Sequence, residues 1–407
     1  MRKNLEDFLD RASERNNGRP VHHWVQEVMR DTFQSRLNNK VASRHQIEMA
    51  NAIAEAMPAG NAVEQNGGNF FEGCVIRGED PYRLLEDLSG IFVKHGILRT
   101  SLNRAQNIVT LDPHSDEVVD LYAKVVLEPF VDITDVFDSC NFLPNMESAI
   151  RSALNAGLVV SGNVCFDPPE GEPVIDTVNR MKEFARGLKE MGSHMLRVKD
   201  PLGILTKEYI GPLCEALRNL DMPFGFHSHE SLGVGVENYS LALELGAQFV
   251  STIVSSWSGG NSHPALESVW LGNKQRFPDF DRDKLIKYAK KARGLRDIYA
   301  VGDSGINVMS LVSSVIPGGM IGPLLDQMDQ QGISRSKFEE IISMVNHVRG
   351  EARQSIVRVT PASQIIGIAA INYFLYGNTY ALISKGFRLL MQGWFGQVDG
   401  EVNGQLA

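Results

Sequence analysis

From residue 20 onward, short apolar, β-rich runs alternate with longer stretches of helical periodicity, which confines the chain to folds built on a parallel sheet with crossover helices. Eight such runs can be counted: Val21–Met29, Asn69–Ile76, Gly96–Leu102, Val131–Phe137, Gly157–Cys165, His194–Val198, Met222–Ser228 and Ala247–Val254. Between the fifth and sixth, Ile175, Val178, Met181, Phe184, Leu188 and Met191 recur every three or four residues, which puts them on the sheet-facing side of a helix. Eight alternations within about 270 residues predict a (β/α)8 TIM barrel, whose active site would lie at the C-terminal strand ends. A doubly wound open sheet is the rival, but no GxGxxG follows the first strand. Later, Arg282–Arg293, Ser334–Arg353, Ile365–Tyr376 and Tyr380–Met391 read as helices with no clear strands between them. The expected division is an N-terminal helical extension over 1–18, a barrel over 19–280 and a mainly helical C-terminal domain over 281–407. DPPEGEP at 167–173 and IPGGMIGP at 316–323 read as loops.

Composition narrows the function classes. Of 407 residues, 43% are hydrophobic and 22% charged, which is ordinary for a folded globular chain. A net charge of -9 without a dense basic block argues against nucleic acid as a partner. Cys74, Cys140, Cys165 and Cys214 lie far apart with no CxxC, so they read as a reduced, cytoplasmic set. The charged N-terminus has no secretory apolar core, and no segment approaches the ~18 apolar residues of a membrane span.

Three strand ends carry candidate chemistry. In GFHSHES, His227 and His229 stand two apart at the end of an apolar strand, so both imidazoles can face one point and share a metal ion. Taken alone, the pair reads equally well as two core histidines. Lys199-Asp200 ends LRVKD, and a lysine inside a barrel is costly unless paired or modified. Arg30-Asp31 closes the first strand. Each alone reads as a rim salt bridge; together they gather an acid, a lysine and two histidines on the same barrel face.

These strings, with others in the same order, resemble the carboxyltransferase domain of biotin-dependent keto-acid carboxylases: pyruvate carboxylase, the oxaloacetate decarboxylase α subunit and transcarboxylase, within the wider metallolyase superfamily of hydroxymethylglutaryl-CoA lyase. RDTFQS at 30–35 is similar to RDAHQS, GGNFFEGC at 67–74 to GGATFDAC, LNRAQN at 102–107 to LLRGQN and VFDSCN at 136–141 to VFDALN. VKDPLG at 198–203 is similar to IKDMAG, HSHES at 227–231 to HTHDT, SSWSGGNSHPALES at 255–268 to SSFAMGTSHPPTES, and VTPASQIIG at 359–367 to VTPTSQIVG. GEDP at 78–81 and Gln364 agree best with the decarboxylase and transcarboxylase branch.

The resemblance implies a divalent ion (Zn, Mn or Co) held by Asp31, His227, His229 and an N6-carboxylated Lys199. It makes Arg104 the clamp for the keto-acid carboxylate, with Gln34 and Arg30 as substrate contacts, and Thr360 the proton carrier between enol and biotin. By pattern alone, Thr360 reads as a helix N-cap. Glu72, Ser363 and Gln364 become biotin-pocket candidates. Phe33 replaces the His of RDAHQS, Ala105 replaces a Gly, Asp135 stands where pyruvate carboxylases have Arg, and Leu111 or Thr110 falls near the biotin-pocket Tyr. No AMKM-like motif or ATP-dependent carboxylase domain is present, so biotin is expected in trans on a separate biotin carrier protein loaded by a biotin carboxylase. The function implied is carboxyl transfer or decarboxylation on a pyruvate- or oxaloacetate-like 2-oxo acid by a homodimer. The alternatives are a biotin-independent metal-dependent lyase or aldolase-type enzyme, and a non-catalytic scaffold subunit.

Overall fold

Strand pairing closes the sheet on itself. In a computed structural model that describes residues 15–16, 19–20, 23–169, 171–299, 317–352 and 359–396, eight parallel strands form a closed barrel. They are β1 (His23–Gln26), β2 (Ala62–Gly67), β3 (Leu98–Asn103), β4 (Ile133–Val136), β5 (Val159–Cys165), β6 (Met195–Asp200), β7 (Phe224–Ser228) and β8 (Phe249–Thr252). Each pairs with its neighbour in chain order, and β8 closes on β1 with Val250 opposite Trp24.

The two-residue period of a strand sorts side chains between the helices and the barrel interior. Trp24, Val63, Val136, Val160, Leu196, Val198, Phe226 and Val250 join the apolar helix faces in the main core. The alternate residues fill the barrel in layers, as packed barrels require. Val25, Ala62, Leu98, Ile133, Val159, Met195 and Phe249 make an apolar floor. The eighth strand contributes Gly225 there, because a Cβ would stand 2.3 Å from the Phe249 carbonyl oxygen and ring. Two residues further along the strands lie charged and polar groups: Glu64, Asp135, Ser161, Arg197 and Ser251. Arg197 Nη1 is 3.2 Å from Asp135 and 3.6 Å from Glu27, and its guanidinium lies 5.4 Å from the Phe249 ring centre.

The second strand is not the expected Asn69–Ile76. Ala62–Gly67 forms β2, and Phe70–Arg77 is a helix entered through Gly67 and Gly68, both at positive φ. β2 faces the polar layer with Glu64 and Asn66, so AVEQNG lacks the apolar signature of a buried strand. The first run also changes partway: after β1, Val28–Thr32 coils into a π-helical turn. At the N-terminus, Arg15–Asn16 pairs antiparallel with Arg19–Pro20 rather than forming a helix; residues 1–14 lie outside the described residues.

Helix Arg282–Ile298, read from sequence as part of the C-terminal region, packs on the barrel instead. Its Leu285, Tyr288, Ala292 and Leu295 join the main core, Tyr288 Oη donates to Gln26 Oε1 at 3.1 Å, and Trp257 Nε1 donates to the Ala292 carbonyl at 2.8 Å. Helices Gly318–Gln330, Phe338–Ala352, Ala362–Leu375 and Lys385–Met391 build a separate core around Met320, Leu324, Ile341, Ile366 and Phe387. Within IPGGMIGP, Gly318–Pro323 opens the first of these helices rather than a loop; first-turn N–H groups have no intrahelical partner in any helix, and buried Met320 and Leu324 outweigh the weak glycine propensity. Tyr380–Ser384 precede the last helix rather than belonging to it. Asp326 ties this region to the barrel, accepting from Asn38 Nδ2 at 2.8 Å and Lys40 Nζ at 2.9 Å.

Gly225→Ala should lower stability by at least ~2 kcal/mol, because the clash is with main chain as well as with a floor side chain. Thermal unfolding of the purified variant reads the loss, and an unchanged midpoint would contradict the floor packing.

Candidate active site

The expected acid, lysine and histidines do converge at the C-terminal end of the barrel. Alternation along β6 points Met195, Arg197 and Lys199 inward in succession, and alternation along β7 does the same for Gly225, His227 and, one step past the strand, His229. Asp31 enters from the π-helical turn after β1. Its Oδ2 lies 3.0 Å from His227 Nε2, 3.3 Å from His229 Nε2 and 3.0 Å from Arg30 Nη2, with every group buried. Lys199 Nζ is 3.5 Å from His227 Nε2 and 5.0 Å from the centre of the Phe137 ring.

A further histidine joins them. His263, in the loop after β8, places Nε2 3.2 Å from Asp31 Oδ2. Its donor atom and those of Asp31, His227 and His229 all lie within 4.8 Å of one another. The SHP string already contained it, but a single histidine in a Gly/Ser-rich loop carries no spacing signal.

Ring orientation follows from the other nitrogens. His227 Nδ1 lies 3.2 Å from Glu27 Oε1, and His263 Nδ1 lies 2.9 Å from the Ser228 carbonyl oxygen. A carboxylate or a carbonyl can only accept, so each Nδ1 carries the proton, and in the neutral rings Nε2 turns a bare lone pair toward Asp31. Burial, with repulsion from Lys199, holds His227 well below the usual imidazole range; burial also lowers His229 against the pull of Asp31. Asp31 itself stays well below the ordinary carboxylate range, since the Arg30 guanidinium beside it outweighs its burial. Lone pairs facing an anion repel one another unless a cation lies between them, so the cluster fits a metal ion. Three nitrogens and one oxygen suit Zn, Mn or Co.

Arg30 is engaged inside the network, with Nε 2.6 Å from Glu64 Oε2 and Nη2 3.0 Å from Asp31. Burial pushes Glu64 up to about 7 against the pull of Arg30. Arg104 follows β3: its Nη1 donates to the Val109 and Thr110 carbonyls at 2.9 and 3.2 Å, and its Nη2 donates to Asn69 Oδ1 at 3.0 Å. Its Nε is buried with no hydrogen-bond partner among the described residues, and burial brings its pKa down to about 10. The next residue, Ala105, has φ 49, a left-handed conformation that explains the resemblance to a glycine position and costs an alanine ~1 kcal/mol. Gln34 Oε1 accepts from the Asn69 N–H at 3.3 Å, linking the first and second strand ends.

The remaining candidates lie elsewhere. Glu72 is exposed on helix Phe70–Arg77, outside the converging group, although its charge acts on Arg104. Val359 packs with Leu102, Phe137 and Cys165, which brings half-buried Thr360 to the rim of the barrel mouth. The following helix has Pro361 at its N-cap position, so Thr360 lies before the cap rather than forming it. Ser363 Oγ and Gln364 Oε1 are buried without hydrogen-bond partners among the described residues. Two departures from the family pattern have structural explanations. Phe33 is buried edge-on against Trp257, with ring centres 5.5 Å apart, and Asp135 is paired with Arg197.

A closed (β/α)8 barrel with a buried Asp/His cluster at its C-terminal strand ends has the layout of a barrel enzyme, with a cluster that could hold a metal ion. Residues 311–407 match the family described as Conserved carboxylase domain. The chain is 29% identical over 392 residues to a pyruvate carboxylase subunit of Methanocaldococcus jannaschii, covering 93% of this chain and 67% of that protein. It is 29% identical over 377 residues to the methylmalonyl-CoA carboxyltransferase 5S subunit of Propionibacterium freudenreichii subsp. shermanii, covering 91% and 72%. Against the 2-oxoglutarate carboxylase large subunit of Hydrogenobacter thermophilus it is 27% identical, covering 90% of this chain but 57% of that protein. The fold matches the carboxyl transferase domain of Rhizobium etli pyruvate carboxylase solved with pyruvate and biocytin, at TM-score 0.89 and 21% identity over 99% of this chain and 69% of that one. Over most of its length the chain is thus similar to carboxyltransferase subunits of keto-acid carboxylases. Among the described residues, no helix is long and apolar enough to cross a membrane.

The shifted groups oppose one another in pH. In chelator-treated protein, His227 and His229 stay neutral when folded but protonate near 6.5 when unfolded, so stability falls as pH drops through that value, by up to ~1.4 kcal/mol per pH unit for each ring. Glu64 has the opposite sign: its folded value of about 7 lies above the reference 4.5, so its contribution is full below 4.5 and disappears as pH rises through 7. Urea unfolding of Glu64→Gln should therefore show a steeper loss of stability than wild type between pH 6.5 and 5; a shallower slope would contradict the assignment.

Proposed function

We propose that the chain is a metal-dependent carboxyltransferase that moves a carboxyl group to or from a small 2-oxo acid of the pyruvate or oxaloacetate type through an enolate, using biotin on a separate carrier protein loaded by a biotin carboxylase. The observation that carries this reading is the convergence of bare imidazole nitrogens on buried Asp31 beside Arg104 and Gln34, in a chain related to the archaeal pyruvate carboxylase subunit and the transcarboxylase 5S subunit.

Asp31, His227 and His229 would hold the ion, which when bound supplies positive charge to the developing enolate oxygen. Arg104 keeps its cation at neutral pH and is held rigid by three oxygen contacts, which leaves the buried Nε as the donor for a substrate carboxylate. Gln34 uses its amide oxygen on Asn69, so its NH2 is free to orient the keto acid. Lys199 is pushed down by burial and by Arg30, which favours the free amine. A free amine can add CO2, so carboxylation at Lys199 has a physical basis here, and it would contribute an anionic oxygen. Thr360 at the rim would pass a proton between the enol and biotin, its hydroxyl acting as donor and acceptor in turn. The unpartnered Ser363 Oγ and Gln364 Oε1 offer hydrogen bonds to the biotin ring beside it. The cytoplasmic setting expected from the scattered cysteines without a CxxC, and the homodimer implied by the family, belong to the same reading.

Purified protein should decarboxylate oxaloacetate faster when free biotin is added, and chelation should abolish turnover. Thr360→Ala should remove the biotin stimulation and lower kcat by ~10²-fold or more, and Arg104→Ala should raise KM. Metal-dependent turnover indifferent to both biotin and Thr360 would instead indicate the biotin-independent lyase, and absence of turnover with any of the three metals would favour a scaffold.

A further inference from the structure

We propose that His114 is a positioning residue for Arg104: through the Thr110 hydroxyl it fixes the two loop carbonyls that aim the guanidinium at the carboxylate of the 2-oxo acid. This rests on the reading of Arg104 as the carboxylate clamp. It extends that reading to a residue that lies outside the barrel strands and outside the motifs of the site.

Arg104 is 2% exposed and has no ion-pair partner among the described residues; oxygen acceptors meet its cation instead. A cation buried in this way is tolerated only while those acceptors stay in place. Two of them, the Val109 and Thr110 carbonyls, belong to the peptide planes that meet at the Thr110 Cα, so whatever pins Thr110 fixes both. Between β3 and helix Asp116–Tyr122 the backbone forms only one short 3-10 turn, Ala105–Asn107. It also places Ala105 at φ 49 and Ile108 at φ 48. Left-handed backbone is costly for both residues, above all for a β-branched one, and it persists only where its surroundings hold it.

What holds it is a hub at half-buried Thr110. Its Oγ1 lies 3.1 Å from the Asn107 carbonyl oxygen, 2.9 Å from the Asp112 carbonyl oxygen and 2.7 Å from His114 Nε2. The hydroxyl has one hydrogen, and a carbonyl can only accept. The contacts are met together when that hydrogen goes to a carbonyl and His114 Nε2 carries a proton that it donates to Oγ1. His114 is itself seated by Gln106: its N–H donates to the Gln106 carbonyl at 2.9 Å, and Gln106 Nε2 donates to the His114 carbonyl at 2.7 Å. A further tie on the loop, Lys385 Nζ to Asp112 Oδ2 at 2.6 Å, joins exposed side chains and contributes little. The hub therefore decides where the two carbonyls point.

Calorimetric binding of oxamate, an unreactive amide analogue of pyruvate, to the full chain saturated with Mn(II) tests the assignment. His114→Ala should bind oxamate ~10-fold more weakly, with metal content by elemental analysis and the thermal midpoint unchanged. His114→Gln, whose side-chain amide can donate to Thr110 Oγ1, should recover most of that loss. Thr110→Val should weaken oxamate by a similar factor, and the double variant Thr110→Val/His114→Ala should be no weaker than Thr110→Val alone, because both changes empty the same hub. Thr110→Val also carries the test should His114→Ala not fold. Wild-type affinity in folded His114→Ala or Thr110→Val, no recovery in His114→Gln, additive losses in the double variant, or a parallel loss of metal would each overturn the proposal while leaving Arg104 as the clamp. Full oxamate affinity in Arg104→Ala, or failure of the wild type to bind oxamate, would overturn that reading and the proposal with it.

Discussion

Asp31 places a negative charge at the one point in the barrel where three imidazole nitrogens and a guanidinium converge, and the rest of the site is arranged around that anion. A buried carboxylate is tolerated only when paired and hydrogen-bonded. Arg30 supplies the pair and is itself held by Glu64, while Glu27 orients His227 from behind. Glu27, Arg30 and Asp31 follow β1, Glu64 lies on β2 and His227 on β7, so the electrostatics of the site exist only when these strands are brought together in the barrel. The arrangement leaves bare nitrogens facing an anion, which a divalent cation resolves and a purely polar core would not.

The barrel interior serves as the support for this charge. β6 measures it in two-residue steps: Met195 in the apolar floor, Arg197 in the charged layer and Lys199 in the site. The middle layer also accounts for Asp135. The acid at 135 is paired across the barrel with Arg197 of β6. The pair stays buried, and Arg197 extends its contacts to Glu27, which in turn sets the His227 ring.

The C-terminal segment packs on the barrel mouth through Val359. Phe137 connects the two parts, lying under the Lys199 amine on one side and packing with Val359 on the other. The residue after Val359 is half-buried Thr360. Gln34 and Asn69 link the first two strand ends beneath Arg104.

Much of this was legible in the residue string, because local patterns record local geometry. Seven of the eight strands announced themselves by apolar runs, and His227 and His229 by a spacing of two, which puts them on one face of any strand. Lys199 stood out as a cation ending an apolar run. β2 was misplaced because its inward face meets the charged layer, where burial selects Glu64 and Asn66 and reverses the usual hydrophobic signal. Helix 282–298 was assigned to the wrong core because an amphipathic face does not name its partner. The sequence by itself therefore determined the alternation, the barrel and the strand-borne members of the site. The tertiary structure alone decided that His263 meets Asp31, that Arg197 pairs with Asp135 and that Val359 packs with Phe137 and Cys165. Those contacts join residues far apart in the chain, and closure of the sheet, rather than any periodicity, brings them within reach.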